Sequence, residues 1–269
     1  MQLLNVIRLE AVFIIAVFLP LLVQLAVLFL ISRLLWTASG RLHGRAVWIL
    51  LALIGVPVHE LSHAAAFIAT GAGVRRLVLF APRGLPEYGG ATGVTVPARN
   101  PSLVSRLFAS VAPLFGCSLA AWGVLWLLLP AVMGGLAGAA PLGSQPLDVG
   151  PMFIAYVQGM LDVITLLPWD RWQTYLAVYL TASLGMGAAP SAEDIRLFLP
   201  ALGILLVLLF PVFALLQLLG DPEQMLTATQ QMVGGFTLAV SSALNIAIVF
   251  ALIALALVIA LAPFRRLFR

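Results

Sequence analysis

The chain carries very little charge. Only 9% of its 269 residues are charged, and all fourteen basic residues are arginine. An ordinary soluble domain has about 25% charged residues. Because 62% of the residues are hydrophobic, the chain cannot cover a water-exposed surface with polar groups. The composition therefore excludes a soluble globular protein and predicts an integral membrane protein whose main partner is the lipid bilayer.

Cysteine is equally scarce. Cys117 is the only one and lies in an apolar segment, so the sequence excludes a disulfide framework and a thiolate zinc site. We interpret it as a small buried hydrophobic residue. The net charge of +4 comes from arginines in short connections, where they set membrane topology and contact anionic lipid. Nucleic acid is not an expected partner.

Long apolar runs are abundant, and about 20 helical residues suffice to cross a bilayer. Six runs are predicted to span it: 11–36, 46–71, 103–129, 172–187, 195–219 and 232–262. A seventh, 152–167, is short and polar on one face, so whether it spans stays open. If it does not, the arginine distribution places both termini in the cytoplasm.

Between the second and third runs, residues 74–99 are rich in Gly and Pro and contain short β-branched stretches at 77–80 and 94–96. This pattern predicts a β-hairpin, with an ordinary interfacial loop as the alternative. The expected fold is an all-α polytopic membrane protein of about six transmembrane helices with a short β-hairpin-like insertion after the second. It forms a single membrane domain over residues 1–269.

The second run contains the motif His59-Glu60-Leu61-Ser62-His63. Each ionisable side chain at mid-membrane costs about 2.5 to 3.5 kcal/mol, so this group needs a compensating partner. Residues four apart share a helix face, and two neutral imidazoles there can bind Zn²⁺. Glu60 would lie beside the open metal position as general base. The alternative is that both histidines only hydrogen-bond to neighbouring helices.

A catalytic zinc usually has three protein ligands. His43 lies in an arginine-rich connection, which leaves Asp194 and Asp162 as candidates. We favour Asp194, because the glycines and proline of 185–190 predict a helix break, which is tolerated at membrane depth where it lines a cavity. Ser191 and Asp194 also match a capping box, so the aspartate has a purely structural interpretation too.

The segment Val58-His59-Glu60-Leu61-Ser62-His63-Ala64 resembles the signature of site-2-protease-like intramembrane zinc metalloproteases, over a core of about 46–219. The resemblance implies zinc ligands at His59 and His63, a general base at Glu60, and an aspartate ligand on a later membrane segment. That aspartate usually stands in Leu-Asp-Gly. Here Val163 follows Asp162, whereas the sequence around Asp194 resembles a variant found in distant members.

The implied activity is hydrolysis of peptide bonds in membrane-embedded or membrane-adjacent substrates, and the lack of a targeting signal favours a bacterial or archaeal cytoplasmic membrane. Two other functions are considered. A metal transporter would need further His or carboxylate sites along its path, and the chain has three His in all. A catalytically inactive relative could be a structural subunit of a membrane complex. The sequence leaves substrate and oligomeric state open.

Overall fold

A computed structural model describes residues 22–35, 37–38, 45–133, 158, 165–219, 244–245, 248–249, 251–256, 258–260 and 263. These residues are mostly helical, with one small sheet. The helices are α1 (Leu22–Leu35), α2 (Arg45–Ala52), α3 (Gly55–Ala69), α4 (Leu103–Leu128), α5 (Trp172–Ala188) and α6 (Ala192–Leu219). The strands are β1 (Val74–Val78) and β2 (Val94–Pro97), with a 3-10 turn at Pro86–Tyr88 between them. Helix α3 packs against α4, α5 and both strands.

Two stretches of the described chain, Trp48–Ala69 and Leu103–Leu128, are long and apolar enough to cross a membrane. The predicted helical class with a small hairpin is confirmed at this level. The count of six spans stays a prediction, because residues 1–21 and most of 220–269 lie outside the described residues. The same holds for nearly all of the seventh run, 152–167.

The predicted second span is two helices rather than one. Helix α2 ends at Ala52 and α3 begins at Gly55, so the first amides of α3 have no partner within their own helix. A serine from α5 supplies one, because the Ser183 hydroxyl oxygen accepts from the amides of Ile54 at 3.3 Å and Gly55 at 3.0 Å. At this break, the start of α3 is therefore hydrogen-bonded to α5.

Helices α3 and α5 approach each other at two glycines. A Cβ atom on Gly55 would lie 1.9 Å from the Ser183 carbonyl oxygen, and one on Gly187 would lie 2.3 Å from the Gly55 carbonyl oxygen. No side chain fits at either position, and small residues are what allow membrane helices to come this close. Gly187 therefore serves close helix packing, and α5 continues through it to Ala188 before the predicted break.

Most of the buried residues of helix α4 are small, and several of its large residues are exposed. Ala109, Cys117 and Ser118 are buried, whereas Leu119 and Leu127 are exposed. A lipid environment accommodates this arrangement, because lipid tails are as apolar as leucine while small buried residues let helices pack tightly. The distribution fits a helix that faces the bilayer.

The predicted hairpin is present as an antiparallel pair in which Val78 lies opposite Val94. Its first strand begins and ends slightly earlier than the pattern indicates. Arg76 of β1 donates to Glu87 of the connecting segment at 3.0 Å and lies over the Tyr88 ring. The backbone amide of Glu87 and the Arg76 guanidinium lower the pKa of the Glu87 carboxyl. The sheet packs against α3, which brings β2 beside the motif.

Candidate metal centre

The two histidines of the motif lie on one face of α3, as their spacing predicts. Their rings meet edge to face, with centroids 4.7 Å apart and an interplanar angle of 80°. The Nε2 atoms of His59 and His63 are 3.0 Å apart. The side chains are 13% and 14% exposed, so the pair lies mostly in the protein interior.

The hydrogen bonds made by the two Nδ1 atoms determine whether the Nε2 atoms carry a hydrogen or a lone pair. Nδ1 of His59 lies 2.6 Å from the Gly187 carbonyl oxygen, and Nδ1 of His63 lies 2.9 Å from that of Ala109. A carbonyl only accepts, so each Nδ1 carries the hydrogen, and in the neutral ring each Nε2 then has a free lone pair. Two lone pairs facing each other at 3.0 Å repel. A cation between the two Nε2 atoms would be bound by both lone pairs, which removes the repulsion. Donation from Nδ1 to a backbone carbonyl is also the usual hydrogen-bonding pattern of histidine metal ligands.

The Ala109 carbonyl has no hydrogen-bond donor from its own helix, and the sequence explains why. In an α-helix it would accept from the amide four residues later, but that residue is Pro113, inside α4. Proline has no N–H, so the helical hydrogen bond is missing. His63 takes the place of that donor.

The Gly187 carbonyl is free because α5 ends one residue later, at Ala188. Its helical partner would be the amide of Ser191, which instead donates to Asp194 Oδ2 at 2.8 Å. The end of α5 therefore offers a carbonyl to His59. Both orienting acceptors are helix carbonyls that lost their own donors.

Asp194 completes the group. Its Oδ1 lies 3.3 Å from Nε2 of His63 and its Oδ2 lies 3.6 Å from Nε2 of His59, and the residue is 4% exposed. The capping box is also present, since the Ser191 hydroxyl donates to Oδ2 at 2.7 Å and accepts from the Asp194 amide at 3.1 Å. The two interpretations of Asp194 are compatible, because the cap holds the carboxylate facing the histidines.

Glu60 is buried, at 7% exposed, and lies one residue from the histidine face. Its Oε2 accepts from the Thr95 hydroxyl of β2 at 2.7 Å. It is not one of the three clustered side chains His59, His63 and Asp194. A buried carboxylate next in sequence to a ligand-type histidine but outside the cluster is a candidate for a general base.

The spacing of the three side chains fits zinc. One ligand atom from each lies within 4.8 Å of the others, and the closest pairs are 3.0, 3.3 and 3.6 Å apart. A tetrahedral Zn²⁺ with bonds of about 2.0 to 2.1 Å separates its ligand atoms by about 3.3 Å. Two imidazoles and one carboxylate also form a common catalytic donor set that leaves the fourth position for water.

A family model described as Peptidase M50B-like matches residues 21–140. This is the site-2-protease family of intramembrane metalloproteases. The resemblance seen in the motif is thereby confirmed. Members of this family depend on zinc. The comparisons with curated proteins and with solved structures returned no match.

The matched region contains His59, Glu60 and His63 but ends before Asp194, so only the structure brings the aspartate to the M50B-like motif. The other acid considered, Asp162, lies outside the described residues, as does His43.

Sequence reasoning missed the groups that orient the site: the carbonyls of Ala109 and Gly187 and the hydroxyl of Thr95. Only the first has a local signal, a proline four residues downstream.

Proposed function

We propose that this protein is an intramembrane zinc metalloprotease that hydrolyses peptide bonds of membrane-embedded or membrane-adjacent substrates. His59, His63 and Asp194 would hold the zinc, and Glu60 would act as general base. The observation that carries the proposal is the convergence of two imidazole lone pairs and a buried carboxylate within 4.8 Å of one another. The Peptidase M50B-like match over residues 21–140 supports it.

The chemistry that zinc supplies in such a site is polarisation of the scissile carbonyl and activation of water at neutral pH. Glu60 accepts the proton of the attacking water and delivers it to the leaving amine. The Gly187 and Ala109 carbonyls keep the histidine rings in the tautomer that presents Nε2 to the centre. The Ser191 cap holds Asp194 in place.

The substrate and the membrane setting form part of the proposal. Strand β2 lies beside Glu60, and a strand edge next to the site suits an extended peptide that pairs by strand addition. A chain of about six transmembrane helices in a bacterial or archaeal cytoplasmic membrane would present this site to segments of membrane proteins. The position of Asp194 supports an active enzyme over the inactive relative, since the inactive relative is favoured only while the identity of the third ligand is in doubt.

The decisive experiment uses purified protein in detergent or lipid discs, assayed for bound zinc and for cleavage of a model transmembrane peptide. We expect one zinc per chain in the wild type and in Glu60→Gln, with cleavage by Glu60→Gln reduced about 10²- to 10⁴-fold. The matched control is Glu193→Gln, because that side chain is 69% exposed, and it should cleave at the wild-type rate.

Three results would contradict the proposal. Bound zinc without turnover on a broad substrate panel would favour a structural subunit. Metal flux into liposomes would favour a transporter. Cleavage by Glu60→Gln at the wild-type rate would refute the assignment of Glu60 as general base. The ligand assignment has its own test, in which Asp194→Asn should lose zinc to a chelator more readily than Asp162→Asn. The opposite order would overturn it.

A further inference from the structure

Strand β2 touches the general base directly. The hydroxyl oxygen of Thr95 lies 2.7 Å from Oε2 of Glu60 and 2.9 Å from the backbone carbonyl oxygen of the same residue. Within the part of the chain that the structure describes, Thr95 is the only hydrogen-bond donor to the Glu60 carboxylate. A buried carboxylate without a donor is costly, so this one contact has a large effect on where the side chain lies.

The hydroxyl bridges the two ends of a flexible side chain. Thr95 contacts both the backbone and the carboxylate of Glu60, and this bridge selects side-chain conformations that place Oε2 next to Thr95. Threonine suits the role because its χ1 angle is restricted by β-branching, so the hydroxyl itself has a fixed direction. The β-strand thus supplies a rigid support for the catalytic carboxylate.

A glycine lets the strand come close enough. A Cβ atom on Gly93 would lie 2.6 Å from Cγ and 2.8 Å from Oε1 of Glu60, and 2.8 Å from a methyl carbon of Val56. The carboxylate therefore has Thr95 at Oε2 and the backbone of Gly93 next to Oε1. Both contacts are made with α3, so they do not contribute to the pairing of the two hairpin strands.

We infer that Thr95 is a positioning residue for Glu60, and that the hairpin is part of the active centre rather than only a surface loop. This inference rests on the proposed function. Thr95 is not one of the clustered ligand side chains, and pairing of β2 with a substrate strand would use backbone groups rather than the Thr95 hydroxyl, which contacts Glu60. Its effect is to keep the proton-accepting oxygen of Glu60 at the reacting water, where a misplacement of about 1 Å costs about 100-fold in rate.

The test compares Thr95→Val, which removes the hydroxyl with little change in shape, and Thr95→Ser, which keeps it. We expect kcat for peptide cleavage to fall roughly 10- to 100-fold in Thr95→Val, with KM changed by less than about twofold. Thr95→Ser should recover most of the wild-type kcat. Zinc content should stay at the wild-type value in both, which shows that the metal site is intact. The melting temperature should stay at the wild-type value in Thr95→Ser and fall modestly in Thr95→Val, because the buried carboxylate loses its donor.

The matched control is Thr70→Val. The Thr70 hydroxyl oxygen lies 2.7 Å from both the Ala66 carbonyl oxygen and the Ser105 hydroxyl oxygen. Thr70 is ten residues along from Glu60, or about 15 Å at 1.5 Å per residue. It should leave kcat unchanged. A second variant, Gly93→Ala, keeps the Thr95 hydroxyl but places a carbon 2.6 Å from Cγ of Glu60. The strand and the Glu60 side chain must then move apart, so this variant should lower kcat with zinc retained.

The inference is overturned if Thr95→Val cleaves at the wild-type rate, or if Thr95→Ser is as slow as Thr95→Val. Should Thr95→Val fold poorly, Gly93→Ala decides the matter, and a wild-type kcat there would overturn the inference as well. Glu60→Gln separates this failure from failure of the proposed function. If Glu60→Gln abolishes cleavage while Thr95→Val has no effect, only the positioning role is wrong.

Discussion

Replacement of Pro113 by alanine should change two properties in different directions, the stability of the fold and the affinity for zinc. Pro113 lies inside α4 and leaves the Ala109 carbonyl without its helical donor, and His63 donates to that carbonyl at 2.9 Å. Alanine restores the N–H, so the helix can close its own hydrogen bond. The carbonyl then turns toward the helix axis, and His63 loses its orienting partner.

Loss of such a partner typically weakens metal binding about 10- to 100-fold, or about 1.4 to 2.7 kcal/mol. Stability should respond differently. Proline costs about 3 kcal/mol relative to alanine inside a helix, whereas two ring carbons of the fully buried Pro113 are lost at about 0.8 kcal/mol each. The zinc-free variant should be as stable as the wild type, or more stable by about 1 kcal/mol.

Zinc affinity is measured by competition with a coloured chelator, and stability by thermal unfolding of the zinc-free protein. Pro200→Ala is the matched control, because Pro200 lies inside α6 and is exposed. It should gain stability and keep the wild-type zinc affinity. A Pro113→Ala protein whose Kd for zinc stays within about twofold of the wild type would refute the argument that the missing helical bond orients His63.

The remaining predictions concern the end of α5 and the start of α6. Gly187→Ala would place a carbon 2.3 Å from the Gly55 carbonyl oxygen. It should therefore separate the helices, lower the melting temperature and weaken zinc binding about 10- to 100-fold. Gly123→Ala, which meets nothing within 4 Å, should do neither, and equal behaviour of the two variants would count against the packing argument. Ser191→Ala removes the cap, so the free energy of unfolding should fall by about 1 kcal/mol. Zinc affinity should drop about tenfold, because Asp194 is held less firmly. Unchanged competition with the chelator would show that the cap does not hold Asp194 in place.

Local sequence patterns were sufficient for the features that depend on nearby residues. The apolar content predicts a membrane environment because few charges are available to face water. The two histidines share a face because residues four apart always do in a helix. The hairpin follows from β-branched runs separated by Gly and Pro. The break between α2 and α3 was missed, since its cap comes from Ser183, a residue distant in sequence.

The sequence by itself thus predicted the membrane class, the pair of imidazoles on one helix face and Glu60 as the candidate base. Only the tertiary structure placed Asp194 beside the imidazoles, because a capping aspartate and a ligand aspartate look the same along the chain, and Asp194 both caps α6 and faces His63. It also decided how the site is oriented, through the carbonyls of Ala109 and Gly187 and the hydroxyl of Thr95. The physical reason is that these contacts exist only where helices and strand approach closely. That approach depends on small residues such as Gly55, Gly93 and Gly187 meeting partners far away in sequence.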